Sequence, residues 1–505
     1  MTTGIESKPI APVRLRTVMA GALLAMVLAA LDQNIVNTAL PRIAGDLGGL
    51  AHLSWVVTAF MLTGTTTTPL YGKLSDLYGR RALFFVAILV FLAGSLLCGA
   101  AQSMGQLIGF RALQGLGAGG LLTLAQAAVG DVVSPRDRPR YQGLFTGTFA
   151  LSSVAGPLLG GLITSALSWR WVFYVNLPVG LLALVMIALG LRPQPVSKVV
   201  RQIDYVGALL LAGVTASILM WLAWGGAEFD WVSWQSAGLL ALTTVLFMLF
   251  LWRERAAPEP LIRLQLFRNQ IYARGVAVSG MMSFAMLGST VFLPLYFQLV
   301  LGMDPAVAGA MMLPQVAGML LTSIVGGQVV ARLGRNRPFL LAGIGLEAAA
   351  LVSLAVFSYL AASPTIFLIS MGILGLGMGM GMPNLTVAVQ NAVAHRELGA
   401  ATGAMTFIRS LGGAVGVAAS GAVMSQRLSS IAAGSSIDLR TLAERGMQAS
   451  VQLTEAQHAA ISDAYRAALT GCFILSGAVM AVAFFLVLGL EERTLRSQIE
   501  DAGTG

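Results

Sequence analysis

Charge is scarce in this chain. Only 10% of its 505 residues are Asp, Glu, Lys or Arg, while 56% are hydrophobic. A soluble domain normally carries about 25% charged residues. A chain this apolar cannot cover a water-exposed surface, so lipid is the solvent it implies. Cysteine is nearly absent. Cys98 and Cys472 lie in separate apolar runs, which excludes a disulfide scaffold and a thiolate metal site. The three histidines, His52, His395 and His458, are scattered, so no metal site is expected. A nucleotide-binding loop is missing too. The glycine-rich stretch near Gly377 sits inside an apolar run, without the preceding strand or the acidic follow-up. Transport driven by ATP within this chain is thereby excluded, and no cofactor is expected. Nor does any convergent catalytic set appear, so the chain does not read as an enzyme. The net charge is +9. Its basic residues sit in short loops, such as Arg136, Arg138, Arg140 and Arg332, Arg335, Arg337, rather than on a continuous face with interleaved aromatics. No nucleic-acid partner is expected.

What is present is a series of long apolar runs. Crossing a bilayer takes about 20 mostly apolar residues. Fourteen runs qualify: 17–38, 53–71, 82–101, 105–127, 143–165, 171–190, 203–223, 233–252, 274–298, 306–327, 339–361, 365–388, 402–425 and 467–489. The run 53–71 is diluted by Thr65 to Thr68, and 365–388 contains Pro383 and Asn384. The first run follows the polar tail 1–16 with no small-residue cleavage site, so it reads as a retained helix. If the N-terminus is inside, most of the 31 Lys and Arg residues fall in inside loops. An even number of spans then leaves both termini cytoplasmic. The expected fold class is an all-α polytopic membrane protein with 14 transmembrane helices, in a bacterial inner membrane and in contact with its lipids.

The chain also echoes itself. Gly72 to Arg81 (GKLSDLYGRR) has a counterpart at Gly327 to Arg337, an offset of 255 residues (327 less 72). Gly115 to Val129 is echoed by Gly377 to Val393. Two six-helix halves are implied, 17–190 and 274–489, the second carrying an outer loop at 426–466. Residues 191–273 supply two additional helices and a charged cytoplasmic linker, and 490–505 form a C-terminal tail. Repeated halves around one central site are a common architecture of secondary transporters. With this many helices, one chain is expected to function as a monomer.

Four strings carry a family resemblance over about residues 17–490. They are Leu31-Asp32 through Asn37 to Pro41, Gly72 to Arg81, Arg111-Ala-Leu-Gln114-Gly115, and Gly147 through Gly156-Pro157 to Gly160-Gly161. In order, they resemble the first helix, the loop between helices two and three, the fourth helix and the fifth helix of the major facilitator superfamily. More narrowly, they resemble its fourteen-helix drug:proton antiporter branch. The chain departs from that pattern at Asn34, where the branch commonly has Thr, and at Ala331, which stands where the first half has Asp76. The resemblance implies a major facilitator fold and proton-coupled export of small amphiphilic compounds, with the proton gradient as energy source. A specific metabolite, siderophore or lipid-like compound would also fit, as would uptake on the same scaffold.

Individual residues take roles within this reading. Asp32 sits in hydrocarbon, where a carboxylate must be protonated or paired. The resemblance implies that it couples proton and substrate, and that Arg111 joins it in a relay. Asn34, Asn37 and Gln114 are candidates for the same cluster. Glu347 is the other acid deep in a span and is a second candidate for substrate or proton contact. Together these intramembrane acids favour a cationic amphiphile. Gly72, Asp76, Gly79, Arg80 and Arg81 read as a gate latch, with the acid meeting a helix N-terminus or a basic partner in one state. Gly147, Gly156, Pro157, Gly160 and Gly161 give helix five a smooth face for packing between the halves. Pro383 and Asn384 suit a discontinuous helix. Arg409 is placed in the cytoplasmic third of its span, snorkelling toward the surface.

Overall fold

The computed structural model describes residues 12–48, 53–191, 204–226, 229–432 and 455–492. The tail before residue 12, the segment 192–203, residues 433–454 of the outer loop and the tail from 493 lie outside the described residues, as does His52. Within them the chain forms fourteen long helices: α1 Pro12–Leu47, α2 Leu53–Tyr78, α3 Arg80–Ala100, α4 Met104–Val132, α5 Arg138–Ala166, α6 Asn176–Gly190, α7 Tyr205–Trp224, α8 Trp234–Ala256, α9 Gln270–Thr290, α10 Leu313–Leu333, α11 Arg337–Tyr359, α12 Pro364–Asn391, α13 Leu398–Ala432 and α14 Glu455–Leu488. Thirteen helical stretches are long and apolar enough to cross a bilayer. The exception is α2, diluted by its threonines. Those threonines are satisfied inside the helix, because the hydroxyls of Thr63, Thr67 and Thr68 each donate to the carbonyl four residues back at 2.9 Å. A polar run of this kind can sit in lipid because its hydrogen bonds stay within the segment.

Buried apolar side chains gather in two main clusters. One draws on α1 to α6, the other on α9 to α14 with the short turns that follow α9. These are called the N-half and the C-half below. The helix α12 runs unbroken through Pro383. This differs from the discontinuous helix expected there. Proline removes the bond to the carbonyl four residues back, and that carbonyl, of Gly379, accepts instead from Ser323 Oγ of α10 at 3.3 Å. Asn384 also closes the helix on itself by donating to the Met380 carbonyl at 2.7 Å.

Candidate functional site

Asp32 of α1 is wholly buried in the N-half, and its two carboxylate oxygens meet three donors. Arg111 Nη1 of α4 reaches Oδ2 at 2.6 Å. Gln114 Nε2, one turn further along α4, donates to Oδ1 at 2.8 Å, and Asn176 Nδ2 of α6 donates to the same oxygen at 2.7 Å. Both amides also donate to Ser95 Oγ of α3, at 3.2 and 2.9 Å, and the Ser95 hydroxyl donates to the Phe173 carbonyl at 2.9 Å. Arg111 is fixed from its other sides. It donates to Gln114 Oε1 at 2.7 Å and to the Val56 carbonyl at 3.3 Å, and its guanidinium lies 4.0 Å over the Phe60 ring.

The network is neutral and closed. Every contact to the Asp32 oxygens among the described residues is a donor, two on Oδ1 and one on Oδ2. Removing one member of a buried ion pair costs about 3–5 kcal/mol.

Sequence reasoning found Asp32, Arg111 and Gln114 but missed Asn176 and Ser95. The available signal was a lone amide in the otherwise apolar run 175–190. Two expected members stay outside the network. Asn34 donates instead to the Ala30 carbonyl at 2.7 Å, and Asn37 is exposed. Glu347 is buried on α11 beside Gly377 of α12, with Oε2 unbonded, and is not brought to Asp32. A prediction follows from the missed amide. Asn176→Leu leaves Oδ1 with a single donor, and a hydrogen bond to a charged group is worth about 1.5–3 kcal/mol. Asp32 is then expected to be held less firmly, and the thermal midpoint of the purified variant to fall by several degrees, measured by differential scanning fluorimetry.

A second cluster closes one end of the molecule, here called the basic end. Asp76, near the end of α2, accepts from the backbone N–H of Gly399 at 3.0 Å and of Ala400 at 2.8 Å, at the N-terminus of α13 in the C-half. A carboxylate at such a helix start meets unpaired N–H groups and a favourable dipole. Arg80 holds Asp76 at 2.6 Å and Asp131 of α4 at 2.9 Å, and it also bonds Ser75. Gly72 lies against Gly399 and Gly403 so closely that a Cβ there would collide with backbone. Gly79 turns the chain into α3 at φ 87°, a region that favours glycine. Arg81 takes no part in this cluster and sits 5.9 Å over the Phe85 ring.

Other contacts between the halves belong to the same end. Gln390 Nε2 donates to the Gln126 carbonyl at 3.2 Å, and Arg136 donates to the carbonyls of Ala331 and Arg332 at 3.1 and 3.2 Å. The linker after α8 adds a strap. Glu259, between two prolines, pairs with Lys73 of α2 at 2.5 Å, and Arg263 pairs with Glu397 just before α13. Between these ion pairs Leu261 and Ile262 are buried against Ala404 and Phe407 of α13 and side chains of α7 and α8.

The glycine face of α5 divides differently from the expectation. Gly147 faces Leu320 of α10, so it does meet the other half. Gly156 and Gly160 pack on Asn34, Ile35 and Thr38 of α1 within the N-half, Pro157 is exposed, and Gly161 has open space around it. The closest approach of the halves along α5 is instead at Gly143, against the Ser323 carbonyl of α10.

Comparison with known proteins agrees with this architecture. The profile described as Major Facilitator Superfamily matches residues 22–207 and 203–417. The multidrug transporter protein MdtP of Bacillus subtilis is 39% identical over 407 residues, covering 81% of this chain and 75% of its own length. The efflux pump FUS6 of Gibberella moniliformis is 34% identical over 411 residues, covering 79% and 72%. Among solved structures, the human organic anion transporter MFSD10 superposes with a TM-score of 0.64 at 15% identity, covering 94% of this chain and all of that one.

Proposed function

Because the chain belongs to the Major Facilitator Superfamily, and is thus a transporter rather than an enzyme, we propose that it exports small amphiphilic compounds in exchange for protons. The observation that carries this reading is the closed, donor-only shell around Asp32. Taking up a proton there removes the charge that Arg111 pairs with, so proton occupancy and helix arrangement change together. Relatives named for multidrug transport and efflux support export.

The cycle runs by alternating access. The basic end is cytoplasmic, with both termini on that side of a bacterial inner membrane. Its latch of Asp76 on the α13 N-terminus, the Gly143–Ser323 crossing and the linker strap hold that side shut. The arrangement is therefore one closed to the cytoplasm. A proton from outside neutralises Asp32, frees Arg111 and loosens the N-half, and the latch then opens inward. Substrate arriving from the cytoplasm or inner leaflet favours release of the proton inside, and the halves rock back. No cofactor is required, and one chain supplies the whole path. Purified protein in liposomes is expected to concentrate a dye against its gradient only while a pH difference is maintained. Full accumulation after the pH difference is collapsed would refute proton coupling.

A further inference from the structure

Arg409, inside the apolar stretch His395–Leu428, makes no hydrogen bond or ion pair among the described residues. Arg409 of α13 lies about 16 Å along the helix from Leu398, at 1.5 Å per residue. The helix starts at Leu398 rather than at residue 402, and Arg409 lies about one third of the way along it. Its side chain is half-buried. Its nitrogens are not among the sealed, unbonded polar atoms, so they face accessible space. Neither carboxylate of the membrane region answers it. Asp32 is enclosed with Arg111, and Glu347 is buried on α11 and makes no ion pair.

Helical register identifies that space. Leu398, Thr402, Arg409 and Gly413 share one stripe of α13. At the basic end this stripe is sealed against the N-half. Leu398 packs on Gly130 of α4, and Gln390 bridges Thr402 Oγ1 at 3.3 Å to the Gln126 carbonyl of α4 at 3.2 Å. Further along, Gly413 lies against Leu287 and Ser283 of α9. Arg409 stands between these points, on the stripe that meets the N-half at Leu398 and α9 at Gly413. The neighbouring Met281 of α9 is half-buried at the same level, because Gly280 touches Ile408 and Gly412. A thioether adapts to varied apolar shapes.

A guanidinium does not lose its charge, and a partly desolvated cation without a partner is costly in a membrane. An anionic group placed there gains a charge-assisted bond. The geometry points to Arg409 as the charge-selecting residue of the central path. It takes amphiphiles that carry a carboxylate, sulfonate or phenolate, with their apolar body toward Met281. This reverses the cationic preference expected from the intramembrane acids, because those acids are enclosed and do not face the path. The inference rests on the transporter reading but not on proton coupling.

Two dyes built on one xanthene core separate the alternatives: fluorescein, an anion at neutral pH, and rhodamine 123, a cation. Binding is read by fluorescence polarisation on protein in phosphatidylcholine nanodiscs, with no gradient present. Wild type is expected to bind fluorescein, and Arg409→Gln to weaken it about tenfold or more. Arg409→Lys should restore most of the loss, while rhodamine 123 binding is not weakened by Arg409→Gln. Failure of wild type to bind fluorescein, or equal binding by wild type and Arg409→Gln, overturns the assignment. Gradient-driven export is a separate measurement, so loss of proton coupling and loss of anion selection are distinguishable.

Discussion

Replacing Asp32 by Asn is expected to abolish concentrative export while leaving a folded protein. The substitution keeps the size of the side chain and an oxygen for Arg111, although its NH2 then meets the donors of Gln114 and Asn176, so the amount of folded protein is measured alongside transport. What it removes is a group that changes charge. One pH unit is worth about 1.4 kcal/mol per proton, so each proton exchanged per pH unit sustains up to about a tenfold concentration ratio across the membrane. In liposomes holding a stable pH difference, wild type should build such a ratio and Asp32→Asn should stay near unity. Substrate-for-substrate counterflow through the variant should persist, because it needs no proton. Wild-type accumulation by the variant would remove Asp32 from the coupling step.

The second large effect lies in the seam between the halves. At Gly143 a Cβ would overlap the Ser323 carbonyl, which is backbone and cannot step aside. Gly143→Leu should therefore prevent α5 and α10 from closing. Overpacking costs about 1–3 kcal/mol, and two-state equilibria of this kind are separated by only a few kcal/mol. The population should shift about tenfold or more toward molecules open at the basic end, with transport lost. Spin labels at Tyr78→Cys and Leu333→Cys report this directly, since both positions are exposed and both native cysteines are buried. The distance between labels should lengthen in Gly143→Leu. Gly161→Leu on the same helix, with nothing within 4 Å of a Cβ, should leave distance and transport unchanged. That contrast separates a seam effect from general damage to α5.

The fold was largely legible because lipid imposes a simple rule. Each span must be long, apolar and internally hydrogen-bonded, so the runs in the sequence became helices, and even the threonine-diluted α2 obeys that rule. The site was legible where a charge had to be explained. Asp32 and Arg111 are conspicuous in apolar runs, and Asp76 beside Gly79 and Arg80 marks a turn at a helix end. Harder to read were features that depend on which face a residue presents. Asn176 and Ser95 are small, neutral and common in membrane helices, and their role appears only when α3 and α6 converge on Asp32. Gly156 and Gly160 look like Gly147 in sequence, but α5 turns them toward α1. Arg409 is harder to read, because a charge near a helix end looks the same in sequence as one several turns in.

The most direct test of the account is proton release by purified protein. A weakly buffered sample with a pH indicator receives a dye that the liposome assay has shown to be exported. The account predicts that wild type releases protons as the dye binds and that Asp32→Asn releases none. Equal release from both proteins, or none from wild type, would contradict it.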